Sequence, residues 1–267
     1  MNRIDKLYST FIPQGRKAFN VYLCAGDPDL DTTAALIAEL AGRGVDAIEL
    51  GVPFSDPVAD GPVIQQAARR AIDAGTTLPK ILKMVAELRR SCQIPICLMT
   101  YYNPIHRYGV GKLVDDAAAA GIDGFIVPDL CPEEGEAFIA RARDRDVKTI
   151  FFIAPTTTPQ RMKIINEKST GFIYCVSVTG ITGARRELPP ELRGHLQSVR
   201  RATTLPLVVG FGVSNVDTVR MMCEQADGVI VGSAICRRIE ELLNGPRNEL
   251  VEKVAAFAQE LSRGARQ

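Results

Sequence analysis

The chain has 267 residues, with 32 Lys and Arg against 31 Asp and Glu, a net charge of +1. Charges of both signs are interspersed, which leaves no basic stripe for nucleic acid. No apolar run approaches the roughly 20 residues of a membrane helix, and the first residues, Met1 to Leu7, lack the apolar core of a signal peptide, so a soluble cytoplasmic protein is expected.

The seven cysteines are scattered, odd in number and never spaced as C-x-x-C, which fits a reducing compartment. With His106 and His195 as the only histidines, a His-rich metal site is not expected, and no metal is assigned.

In chain order, short apolar runs alternate with helical patterns. Strands are predicted over 18–24, 47–50, 96–100, 124–127, 149–153, 172–176, 207–210 and 228–231. Between the first two, Asp31 is suited to cap a helix over 32–41, ended by Gly42 or Gly44. Ile81, Leu82, Val85 and Leu88 share a helical face. Ser214 is placed to cap a helix through Met222, and 249–261 reads as a final amphipathic helix. The segments Gly42-Arg43-Gly44-Val45-Asp46-Ala47 and Ala120-Gly121-Ile122-Asp123-Gly124 echo one another as helix exits turning into strands. Eight alternating units predict an α/β protein, a single (β/α)8 TIM barrel with extra N-terminal and loop helices, and one domain over 1–267. The alternative is an open doubly wound sheet, which wants a G-x-G-x-x-G turn after its first strand. Here that strand runs into Ala25-Gly26-Asp27-Pro28 instead.

Barrel chemistry sits where strands end. Side chains alternate along a strand, so in the second one Ile48 and Leu50 face the helices and Glu49 turns toward the barrel axis. An ionised carboxylate buried there loses several kcal/mol of hydration unless it is paired. The plain alternative is a Glu paired with a buried base, but no Lys or Arg stands near a strand end before Arg185 and Arg186. Asp60 follows in a loop stiffened by Pro53, Pro57 and Pro62. Alone it reads equally as an Asp-Gly turn; beside Glu49, the two carboxyls can divide acid and base roles. Asp56 reads as a turn residue or a partner contact.

The last two junctions, Gly210-Phe211-Gly212-Val213-Ser214 and Val231-Gly232-Ser233-Ala234-Ile235, lie where barrels often bind phosphate. Gly212 and Gly232 let backbone N–H groups approach an anion, and Ser233 can donate its hydroxyl at a helix start; both glycines read alternatively as turn residues. The run from Thr179 to Pro190, with two glycines, two hydroxyls and Arg185-Arg186, reads as a lid or as an ordinary exposed loop. Tyr22, Tyr101, Tyr102, Ile153, Tyr174 and Phe211 end strands, as core residues or as the walls of a flat apolar cavity. No Lys stands at a strand's end for Schiff-base chemistry. What survives is acid–base catalysis on a phosphate-bearing substrate with an apolar part.

The run Ile48-Glu49-Leu50-Gly51-Val52-Pro53-Phe54-Ser55-Asp56-Pro57-Val58-Ala59-Asp60-Gly61-Pro62 resembles the signature of the tryptophan synthase alpha subunit family. So do Ala25-Gly26-Asp27-Pro28, Met99-Thr100-Tyr101-Tyr102-Asn103-Pro104, Val127-Pro128-Asp129-Leu130, Gly180-Ile181-Thr182-Gly183-Ala184 and the two glycine junctions. The resemblance implies retro-aldol cleavage of indole-3-glycerol phosphate to indole and glyceraldehyde 3-phosphate, with Glu49 and Asp60 catalytic. It implies that Tyr174 orients Glu49, that Tyr22, Met99, Tyr101, Ile153, Thr182 and Phe211 line the indole pocket, and that Gly183, Gly212, Gly232 and Ser233 hold the phosphate. It further implies a tryptophan synthase beta subunit as partner in an α2β2 assembly. No cofactor is expected here, pyridoxal phosphate belonging to that partner. The partner contact region would span Pro53 to Asp60 with Asn103, Pro104 and Asp129. Rival readings are a free-standing lyase using the same site, and a non-catalytic chain that only activates its partner.

Overall fold

The structure is a computed structural model that describes residues 1–176, 188–210 and 212–266. Nine parallel strands form one sheet: β1 (Ala18–Cys24), β2 (Ala47–Gly51), β3 (Ile96–Met99), β4 (Gly124–Ile126), β5 (Lys148–Ile150), β6 (Phe152–Ile153), β7 (Ile173–Val176), β8 (Leu207–Gly210) and β9 (Gly228–Val231). Their order is β5-β4-β3-β2-β1-β9-β8-β7-β6. The two terminal strands of that order are consecutive in sequence, separated by Phe151 alone. Phe151 spans the break with its carbonyl, which accepts the Tyr174 N–H at 3.1 Å. The ring is therefore a barrel of eight strand positions. The predicted fifth strand, 149–153, is two short strands because its first half pairs with β4 and its second with β7.

All seven residues of β1 and all five of β2 are buried, as expected for parallel strands closed on one face by the barrel interior and on the other by helices. Ile48 and Leu50 pack in the layer between strands and helices, while Tyr22, Cys97, Ile126, Ile150, Tyr174, Val208 and Ile230 fill the interior.

Twelve α-helices lie among the described residues, one preceding the barrel at Arg3–Phe11. Extra helices occur where single ones would suffice: Pro62–Asp73 with Leu78–Leu88 after β2, Tyr102–Tyr108 with Val110–Ala120 after β3, and Ser233–Glu241 with Arg247–Ser262 after β9. Two caps differ from expectation. Asp29, not Asp31, caps Leu30–Gly42, accepting the Thr32 N–H at 2.7 Å. Asn215, not Ser214, caps Val216–Cys223 in a reciprocal box with Thr218. In each case the cap must accept from the third helical residue, and the neighbouring hydrogen-bonding residue lies one or two positions out of register.

At the end of the barrel where strands begin, Asp123 binds Arg3 at 3.0 Å and Arg89 at 2.9 Å, and accepts the Ile96 N–H at 2.8 Å. The opposite end carries Glu49, Asp60 and Ser233.

Candidate active site

Glu49 stands beside Tyr22 in the β1–β2 register. It is 3% exposed, and burial pushes its carboxyl up to about 8, with the nearby Asp60 adding to the rise. Among the described residues the one hydrogen bond to it comes from Tyr174, whose hydroxyl donates to Oε2 at 3.4 Å and acts in the opposite direction. Among the described residues Glu49 has no basic partner, so its cost is not offset by an ion pair. It faces a cavity of about 660 Å³ as an acid able to hold a proton near neutral pH.

Two glycines make this packing possible. A Cβ on Gly51 would lie 2.2 Å from the Tyr22 hydroxyl, and one on Gly210 would lie 2.2 Å from that of Tyr174. Each tyrosine occupies the space that a neighbouring strand leaves by lacking a side chain. Phe152 completes the wall, its ring 4.7 Å from that of Tyr174.

Asp60 reaches the same cavity from the loop after β2. Partial burial raises its carboxyl, while the Tyr101 hydroxyl beside it acts the other way. Tyr101 anchors this loop: its hydroxyl accepts the Ala59 N–H at 3.1 Å, and its ring lies 5.4 Å from Phe54. Gln65 donates to the Asp60 carbonyl at 2.7 Å. Val58, between these anchors, is 80% exposed. The Gly26-Asp27 turn acts at a distance. Buried Asp27 takes two hydrogen bonds from Arg70, at 2.7 and 2.9 Å, and Arg70 also reaches Glu240. That clamp ties the helix leaving the Asp60 loop to the helix that begins at Ser233.

Gly212, Gly232 and Ser233 share the cavity with the two acids. Gly212 has φ of +73°, which disfavours any side chain. Ser233 opens its helix, with Gly232 as the preceding cap residue, so unsatisfied N–H groups face the cavity there.

Of the residues assigned to the indole pocket, Tyr22, Met99 and Tyr174 line the cavity. Tyr101 is buried behind it as the loop's anchor. Ile153 requires correction: it packs outward in the layer beneath the helices, and Phe152 faces the cavity. Alternation from the inward Ile150 forces this. Thr182, Gly183 and Phe211, and the lid arginines Arg185 and Arg186, lie outside the described residues. Sequence reasoning missed Arg237, which also lines the cavity. Its signal was its position four residues, one helical turn, beyond Ser233.

Parallel strands that deliver a proton-holding carboxyl and a helix start to one end of a closed ring define a (β/α)8 enzyme of the acid–base kind. Sequence comparison narrows the class. The family model described as tryptophan synthase alpha chain matches residues 9–266. The tryptophan synthase alpha chain of Pelobacter propionicus is 45% identical over 267 residues, covering 99% of this chain and 100% of that one. That of Geotalea daltonii is 46% identical over 264 residues, 99% of each. The crystal structure of tryptophan synthase subunit alpha from Legionella pneumophila superposes with a TM-score of 0.91 at 34% identity, covering 100% of this chain and 99% of that one. A structure of Mycobacterium tuberculosis tryptophan synthase gives 0.90 at 34%, with the same coverage. The chain belongs to the tryptophan synthase alpha chain family, lyases of tryptophan biosynthesis that cleave indole-3-glycerol phosphate.

Proposed function

We propose that Glu49 is the acid and base of this cleavage and that Asp60 stabilises the charge on the indole. The carrying observation is the placement of Glu49, 3% exposed and without a basic partner among the described residues, in the wall of the cavity that Asp60 also lines, where burial pushes its carboxyl up to about 8. Indole is a poor leaving group until its C3 is protonated. Glu49 gives its proton to C3, and the ring becomes an indolenine cation whose N–H is held by the Asp60 carboxylate. The Glu49 carboxylate then takes the proton of the hydroxyl on the adjacent glycerol carbon. A C=O bond forms there, the C3–carbon bond breaks, and its electron pair returns to the ring. Indole and glyceraldehyde 3-phosphate leave, and Glu49 is protonated again.

In this reading Tyr22, Met99 and Tyr174 flank the indole, with Phe152 taking the place first given to Ile153. Tyr101 acts by holding the Asp60 loop, and Thr182 and Phe211 keep the pocket roles that the resemblance implies. The phosphate lies against Gly212, Gly232 and Ser233, with Gly183 as a further backbone donor. The chain acts as a single domain in the cytoplasm; among the described residues no helix is long and apolar enough to cross a membrane. Its partner is a tryptophan synthase beta subunit that receives the indole in an α2β2 assembly and carries the pyridoxal phosphate. This chain needs no cofactor. Exposed Val58 between two loop anchors supports a contact there, so docking would fix Asp60 further and raise turnover.

The test is turnover of indole-3-glycerol phosphate by Glu49→Gln, with and without beta subunit. Loss of at least about 10³-fold is expected from removal of a group that serves as both acid and base, with folding and partner binding retained. Residual turnover near the wild-type rate would overturn the mechanism. An unchanged wild-type rate on adding the partner would remove the docking role.

A further inference from the structure

We propose that Arg237 binds the phosphate of the substrate and sets the preference for phosphorylated over unphosphorylated indole glycerol. The inference rests on the reading that the phosphate lies at Gly232 and Ser233. Arg237 is exposed, one helical turn beyond Ser233 on the same face, and it lines the cavity. The charged side chains around that cavity are Glu49, Asp60 and Arg237 among the described residues, so Arg237 is its one cation.

The neighbouring arginines are already used. Arg238 binds Glu241 at 2.9 Å, and Arg70 binds Asp27 and Glu240. Arg237 has no carboxylate partner among the described residues, although carboxylates are close at hand along its own helix. A phosphate dianion entering this cavity meets the Asp60 carboxylate, and the backbone N–H groups and Ser233 hydroxyl carry no net charge to offset it. A guanidinium at the rim supplies that charge and can pair with two phosphate oxygens at once. Being at the rim, it acts on capture rather than on the bonds that break.

The experiment compares wild type, Arg237→Met, Arg237→Lys and Ser233→Asp in the full-length chain. The substrates are indole-3-glycerol phosphate and indole-3-glycerol, each at low and high salt. Arg237→Met should raise KM for the phosphorylated substrate by about tenfold at low salt, with less effect at high salt. It should leave kcat and all parameters for indole-3-glycerol unchanged, and Arg237→Lys should recover most of the loss. An unchanged KM, or equal changes for both substrates, overturns the proposal. Ser233→Asp tests the underlying reading, because a carboxylate at the helix start should repel the phosphate. If Ser233→Asp weakens only the phosphorylated substrate while Arg237→Met does nothing, the role of Arg237 alone falls. If neither variant discriminates the substrates, the phosphate site falls with it.

Discussion

The Tyr174 hydroxyl donates to Glu49 Oε2 at 3.4 Å, joining residues 125 positions apart across the barrel interior. The bond favours the ionised carboxylate and so opposes the rise that burial imposes. It is long, and therefore tunes the acid more than it holds it.

Tyr174→Phe should accordingly raise the Glu49 carboxyl further. The high-pH limb of kcat/KM, where the catalytic proton is lost, should move to higher pH. The rate at neutral pH should fall by no more than about tenfold, the worth of one modest hydrogen bond. A limb that stays in place or moves down would show that the hydroxyl does not govern this proton.

Glu49 also gives stability a pH dependence of definite sign. Its carboxyl is near 8 in the folded chain and near ~4.3 when unfolded. Between those values the folded state holds a proton that the unfolded state has released. The group's contribution is therefore complete at low pH and is lost as pH rises through 8. Urea unfolding of wild type and Glu49→Gln at pH 5 and pH 9 should show the variant gaining several kcal/mol relative to wild type at the higher pH. A pH-independent difference would mean that Glu49 is ionised in the folded protein throughout.

Gly210 is a steric requirement of Tyr174. An added Cβ would lie 2.2 Å from its hydroxyl and 2.5 Å from a ring carbon. Gly210→Ala should cost about 1–3 kcal/mol and should reduce cleavage more than Tyr174→Phe, because the ring itself must move. In Gly210→Ala/Tyr174→Ala the clash is gone, so the two destabilisations should be non-additive by about 1 kcal/mol or more. Strict additivity would place the strain elsewhere.

Asp123 should matter for stability alone. It lies at the end of the barrel remote from the cavity, binding Arg3 and the nearly buried Arg89. Asp123→Ala leaves Arg89 without its counter-ion and should cost about 3–5 kcal/mol in chemical denaturation. The kcat of the folded variant should be unchanged, and a selective loss of kcat would contradict this division between the two ends.

The alternation of apolar runs with helical patterns was enough for the barrel, because each parallel strand must be apolar on both faces. The same alternation turned Glu49 inward without any coordinates. It was not followed through at 150–153, where alternation puts Phe152, and not Ile153, on the cavity. The role of Tyr101 was not legible, because its hydroxyl meets Ala59 across 42 residues, a pairing no local pattern records. Arg237 is hard to single out from the sequence, because an arginine on an amphipathic helix is ordinarily a solvated one. Its spacing from Ser233 is the one sequence cue, and the cavity that both residues line makes that cue decisive.

The ladder around the barrel is uneven. Five residue pairs join β1 to β2, whereas three join β4 to β5 and two join β6 to β7. The arc around Phe151 divides its ladder between two neighbours, β4 before it and β7 after it, with the Phe151 carbonyl bond to Tyr174 spanning the change. It is also the arc that presents Phe152 and Tyr174 to the cavity. An indole ring packed against both would act as a fastener, and its binding energy would appear as slowed amide exchange at residues 151–153 and 174.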